Sequence, residues 1–276
     1  MKVAAVQMVS CLQVDTNLRS ADALVQEAAS QGAELVALPE YFCLLGQRDT
    51  DKLAVQEQAG TGPIQQFLAD AAQRHGVWLV GGTMPISTSQ ANRVRNTCLV
   101  FNPQGKQVAR YDKIHLFAFD NGTERYDESR VLEPGNTPVC FTLPSRDGHS
   151  WRVGLSVCYD LRFAALYRAL QADLLLVPSA FTHTTGQAHW EVLLRARAIE
   201  NLACVLAPAQ GGVHANGRRT WGHSMVVDAW GQVLAEHAEG EGVVLADMSM
   251  PDLLTQRTQL PALAHTKPLA AMVPTL

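Results

Sequence analysis

Three side chains of reactive type sit at the same kind of place in this 276-residue chain. Glu40 ends the apolar run ELVALPE, Lys113 ends VARYDK, and Cys158 lies at the end of VGLSVCYD. Each follows a strand-like stretch and precedes loop or turn residues. In open α/β architectures, sites collect outside the carboxyl ends of strands. There a thiol can attack a carbonyl and a carboxylate can take the thiol proton, pass it to leaving ammonia and then activate water. An ammonium can stand beside the oxyanion of the tetrahedral intermediate. Taken singly, a solvated loop acid is the simpler reading of Glu40, and a surface lysine of Lys113.

Cys158 stands apart from the other five cysteines, Cys11, Cys43, Cys98, Cys140 and Cys204. None of the six forms a CxxC pair, and small buried hydrophobes are the expectation for most of them. WRVGLSVCYDLRFAALYRAL reads instead as strand, tight turn and helix, with Cys158 on the elbow. The N-terminus of the following helix should favour the thiolate. The N–H of Tyr159 could then point at a developing oxyanion.

The elements that must hold these groups are apolar runs alternating with amphipathic ones. Strand-like runs cover residues 3–8, 34–38, 77–81, 97–102, 153–157, 174–178, 204–209, 225–228 and 243–247. Helix-period segments cover 16–30, 64–75, 163–170 and 189–201. This is an α/β layered fold with sheets buried under helices. With no Pro/Gly/Ser linker, the expectation is one domain over 1–276, carrying an extended tail over 262–276 that could join a dimer interface. The connection from about His115 to Cys140 is rich in charge, Gly and Pro, and a loop of that length is usually functional.

The balance of the chain narrows its partners. It is 47% hydrophobic and 17% charged, with a net charge of −4 and both signs scattered. No basic block suggests nucleic acid, and no stretch suggests a membrane span or surface. The N-terminal run is too short for a signal peptide, so a cytoplasmic protein is expected. HWEVL lacks the HExxH spacing, and the remaining histidines lack ligand spacing, so no metal is expected.

LPE with Glu40, YDKIHLF with Lys113 and CYDLRF with Cys158 resemble, in order, the three motif blocks of the nitrilase superfamily of carbon–nitrogen hydrolases. The resemblance runs from Val3 to about Pro261. It implies a four-layer α-β-β-α sandwich, thioester chemistry with no metal or cofactor, and a homodimer or higher oligomer that continues the sandwich. RYDESRVLEPGN is similar to a further block, which assigns Glu128 a place beside Lys113, orienting it and bonding the substrate amide. PSAFTHTTGQAHWEVLLRARAIEN and GHSMVVDAWG resemble the branch holding the deaminated glutathione amidases and omega-amidases. That branch implies a small amide substrate bearing an α-keto acid, with water as second substrate. Where the branch has Pro-Glu after CYDxRF, this chain has Ala164 and Ala165, which puts the capping of the next helix in doubt. A binding module that kept the fold and lost the chemistry is the competing reading, and the presence of all three motif residues argues against it.

A substrate carboxylate calls for arginine. Arg162, near the elbow, could reach the pocket or pair with Asp160. Thr185, in the expected turn after PSAF, offers a hydroxyl. Tyr41 and Phe181 could line the pocket walls or belong to the core. Arg195 and Arg197, with Glu191 and Glu200, fit a helix that pairs its charges.

Overall fold

Alternation along the first strand sets the layers. In β1 (Lys2–Gln7), Val3 and Ala5 point to one face while Ala4 and Val6 point to the other, as a period of two requires. All four are fully buried, so the sheet is covered on both sides. The computed structural model describes residues 1–267. β1 belongs to a sheet with β2 (Leu35–Ala37), β3 (Trp78–Val80), β4 (Met84–Ser87), β5 (Val94–Phe101), β6 (Gln107–Asp112) and β17 (Gly242–Asp247). The order is β17-β1-β2-β3-β5-β4, with β6 also paired to β5. β1, β2 and β3 are parallel, as their helical crossovers demand.

The second sheet holds β9 (Val139–Pro144), β10 (Ser150–Leu155), β11 (Leu174–Leu176), β12 (Cys204–Ala207), β15 (Ser224–Val227) and β16 (Val233–His237), in the order β16-β15-β12-β11-β10-β9. Two small ribbons complete the strands: β7 (Ala118–Asp120) with β8 (Arg125–Asp127), and β13 (Gly211–Val213) with β14 (Arg219–Trp221).

Helices α1 (Val14–Ser30) and α2 (Pro63–His75) cover the outer face of the first sheet, where Val25 and Leu68 meet Val36 and Leu79. Helices α3 (Ala164–Leu170) and α4 (His183–Asn201) cover the second, through residues such as Tyr167, Trp190 and Leu194. Val3 and Ala5 of one sheet and Val153 and Leu155 of the other share the inner core. The result is the four-layer α-β-β-α sandwich. α5 (Met250–Gln259) follows β17 and is tied back by Arg257, which donates to the Leu202 carbonyl at 2.9 Å. Residues 262–265 form turns. Most of the remaining expected tail, 268–276, lies outside the described residues. Among the described residues no helix is long and apolar enough to cross a membrane.

All nine expected strands and four expected helices are present, with displaced ends. The connection after Lys113 carries the β7–β8 ribbon and a short 3-10 turn, Glu128–Arg130. α4 begins at His183, so Thr185 lies in its first turn and not in a separate loop. The Thr182 side chain caps that turn by accepting from the Thr185 N–H. Gly186 can only be glycine here: a Cβ would sit 2.2 Å from Trp221. α3 forms without any side-chain cap at Phe163, so the loss of Pro-Glu at Ala164 and Ala165 leaves the helix in place.

Candidate active site

Glu40, Lys113 and Cys158 meet where the strand ends of the two sheets converge. Glu40 follows β2, Lys113 follows β6, and Cys158 follows β10. Each position has a local cause. The turn after β2 is held by Gly82, which approaches so closely that a Cβ would lie 2.0 Å from the Pro39 carbonyl oxygen. The next residue, Thr83, accepts the Tyr41 N–H at 2.9 Å, and Tyr41 takes a left-handed φ of 58°. Cys158 has a φ of 50°, and its N–H donates to the Pro178 carbonyl at 2.9 Å. Left-handed backbone at non-glycine residues costs on the order of 1–3 kcal/mol and persists only where the surroundings fix it. Asp160 supplies that fixing. Fully buried, it accepts the Val157 N–H, the His115 N–H and the Tyr111 hydroxyl, with His115 Nδ1 at 2.7 Å.

Glu40 and Lys113 are each 1% exposed, so neither is the solvated residue that position alone suggests. Lys113 Nζ lies 2.9 Å from Glu40 Oε1 and 2.8 Å from Glu128 Oε2. Glu40 also accepts Asn96 Nδ2 at 2.9 Å and the Ala180 N–H at 3.0 Å. Glu128 accepts the Tyr41 hydroxyl and the Phe117 N–H, both at 2.7 Å. Two carboxylates thus flank one ammonium, and each keeps neutral donors of its own.

The charges settle accordingly. Burial raises the pKa of Glu40, and Lys113 only partly opposes it. For Glu128 burial pulls the same way, but Lys113 and the hydrogen bonds from Phe117 and Tyr41 prevail, and its pKa falls. Lys113 is held well above its ordinary value: burial lowers it, and the flanking carboxylates outweigh that. Burial, then Glu40, push the Cys158 thiol well up, against the pull of Lys113. This corrects the thiolate expected from a helix N-terminus. α3 starts only at Ala164 and is seven residues long, whereas the buried carboxylate is adjacent. Burial and the neighbouring carboxylate therefore favour the protonated thiol of Cys158. Buried Cys43, Cys98 and Cys204 are pushed up to about 12, with burial the leading cause. Cys11 and Cys140 are half-buried, and all six cysteines are free thiols.

Cys158 opens into a cleft of about 600 Å³. Glu40, Tyr41, Glu128 and Phe117 line it near the thiol, and Lys52, Asp49, Tyr126 and Arg218 line it elsewhere. A smaller lobe of about 220 Å³ also reaches Cys158, between Tyr159, Arg162, Phe181 and Thr185. All five expected substrate-side residues therefore border one lobe or the other. Arg162 does not pair with Asp160, whose oxygens are already engaged. Its guanidinium lies 3.2 Å from His189 Nδ1 and over the Tyr159 and Phe181 rings. Arg195 and Arg197 do pair with Glu191 and Glu200. Sequence reasoning missed Asn96, Lys52, Arg218 and the Ala180 N–H. Only Asn96 left a signal, as a polar residue inside the buried run VRNTCLVF.

The sandwich thus gathers a buried thiol, a buried carboxylate and a buried ammonium at one site. The chain belongs to the carbon-nitrogen hydrolase family, whose model matches residues 2–257. It is 40% identical to a deaminated glutathione amidase of Yersinia enterocolitica, over 99% of this chain and 96% of that one. It is 38% identical to an omega-amidase of Mus musculus, over 96% and 95% of the two chains. Among solved structures, the NitFhit protein of C. elegans matches with a TM-score of 0.87 and 35% identity. That match covers 96% of this chain but 65% of the longer NitFhit chain.

Proposed function

We propose that this enzyme hydrolyses the amide of a small α-keto acid, such as deaminated glutathione, through a thioester on Cys158. The observation that carries the reading is that buried Cys158 shares one cleft with the buried carboxylate of Glu40, which the Lys113 ammonium holds at 2.9 Å. Glu40 takes the thiol proton as Sγ attacks the amide carbonyl. Lys113 faces the oxyanion, and the Tyr159 N–H is a second donor for it. Collapse breaks the C–N bond, and Glu40 returns the proton to the leaving amine. Glu40 next deprotonates water, which attacks the thioester and releases the acid and the thiol. Glu128 keeps Lys113 charged and oriented, and it borders the cleft where the substrate amide would lie.

Two measurements test this. Deaminated glutathione and α-ketoglutaramate, assayed side by side, are both expected to be hydrolysed, the former with the higher kcat/KM. A higher value for α-ketoglutaramate would move the assignment to omega-amidase. Turnover of nitriles or N-carbamoyl compounds alone would remove it from the amidase branch. The second measurement is the pH profile. Glu40 works as a base only when ionised, and its pKa is raised. The acid limb of kcat/KM should therefore lie above the ordinary carboxylate range, and activity should rise as pH rises through it. A limb at or below that range contradicts Glu40 as the base.

The same reading includes a homodimer. Val192 and Ile199 on α4 and Trp230 beside it are exposed apolar side chains, and the 228–231 turn is tied to α4 by Arg195 donating to the Gly231 carbonyl. Sedimentation equilibrium should give at least twice the chain mass, and Val192→Glu should shift it toward monomer.

A further inference from the structure

The cleft contains cations that the proposed chemistry does not use. Lys52 is 9% exposed, and its ammonium lies 4.7 Å from the centre of the Tyr41 ring. The hydroxyl of that same ring bonds Glu128, so one aromatic ring separates Lys52 from the carboxylate beside Lys113. Arg218 lies over the Tyr126 ring at 5.2 Å and donates to Asp49 at 3.0 Å. Lys52 Nζ is 3.8 Å from the same Asp49 oxygen, beyond hydrogen-bond reach. Two cations thus share one carboxylate.

The other acids of the cleft are committed. Glu40 and Glu128 are bonded to Lys113, and Asp127 accepts from the N–H and hydroxyl of Ser129. Burial lowers the pKa of Lys52, and Arg218 adds to that effect against the pull of Asp49 and the catalytic carboxylates. A buried ammonium without a hydrogen-bonded counter-charge is costly. An anion entering the cleft removes that cost, and the fork of Arg218 and the point charge of Lys52 suit a carboxylate.

We propose that Lys52 and Arg218 form the subsite that recognises a carboxylate on the amide substrate. The proposal rests on the amidase reading and gives it a specificity determinant. Arg162 borders the smaller lobe instead, against His189, Tyr159 and Phe181. Arg219, 3.7 Å from Glu239 with both side chains largely exposed, belongs to the rim.

The test compares succinamate with butyramide, four-carbon amides that differ in a terminal carboxylate against a methyl group. Wild-type enzyme should prefer succinamate. In Lys52→Met and in Arg218→Gln that preference, as a ratio of kcat/KM values, should fall about 10- to 100-fold, the size of one lost charge-assisted hydrogen bond. The change should lie mainly in KM, and Lys52→Arg should restore much of it. A ratio within twofold of wild type in both variants overturns the subsite, as does an equal fall on both substrates. Calorimetry with glutarate on Cys158→Ala protein separates this from the amidase reading. Glutarate binding that disappears on adding Lys52→Met supports the subsite even if no amide is hydrolysed, an outcome that would sink the amidase reading alone. Glutarate binding indifferent to both cations overturns the subsite even if amides are turned over.

Discussion

Cys158→Ala is expected to lower kcat on the order of a million-fold while the protein keeps its fold. The magnitude is that of removing a nucleophile from a site whose members act as a unit. No other side chain can take over. The other cysteines lie away from the cleft lining, and those fully buried have thiols pushed far above neutrality. The fold should survive for three reasons. The left-handed φ of 50° at this residue strains alanine no more than cysteine. The N–H that anchors it to the Pro178 carbonyl belongs to the backbone. The lost sulfur faces an open cleft, so its removal leaves no sealed cavity of the kind that destabilises cores. Single-turnover rates and a thermal melt on the same preparation check both halves. Rates near wild type would discard Cys158 as nucleophile, and a melt lowered by many degrees would show that the thiol is structural.

The trio was legible in the sequence because each member sits next to a local pattern. ELVALPE, VARYDK and VGLSVCYD are apolar runs long enough to be read as strands, and the reactive residue marks where each run stops. Family resemblance then supplied their grouping, which no local pattern carries. What remained hidden depends on separation. Asn96 reaches Glu40 across fifty-six positions and the Ala180 N–H across one hundred and forty, and nothing near either residue announces a partner so distant. The three-residue strands of the small ribbons are too short to show alternation. The thiolate expectation failed for a related reason. It rested on a nearby helix, which sequence displays, and took no account of burial beside a carboxylate, which sequence does not. Lys52 and Arg218 are two further examples, ordinary surface residues in sequence that the fold turns into one side of a cleft.

Lys113→Met is expected to reduce activity and stability together, by routes that a second substitution separates. Lys113 is 1% exposed and is the ammonium that Glu40 and Glu128 share. Without it two buried carboxylates face one another uncompensated, which costs about 3–5 kcal/mol. Catalysis loses the cation facing the oxyanion, about 100- to 1000-fold. It also weakens the base, because Lys113 is the main influence opposing the upward shift of Glu40. With Glu40 shifted further toward its protonated form, the thiol proton is taken less readily, and the combined loss should exceed about a thousand-fold. Lys113→Met/Glu128→Gln removes one of the two stranded charges, so it should regain much of the stability and almost none of the rate. The pH dependence gives an independent sign. In wild type Glu128 has a depressed pKa, so its contribution to stability is present above its unfolded value and is lost as pH falls through its folded one. In Lys113→Met the pull that lowers both carboxylates is gone, so both shift upward and the variant should lose stability relative to wild type as pH rises and regain it on acidification. The stability difference between wild type and variant, from urea midpoints, should therefore narrow as pH falls toward the carboxylate range. A difference independent of pH would mean that Lys113 holds the site by packing and not by charge.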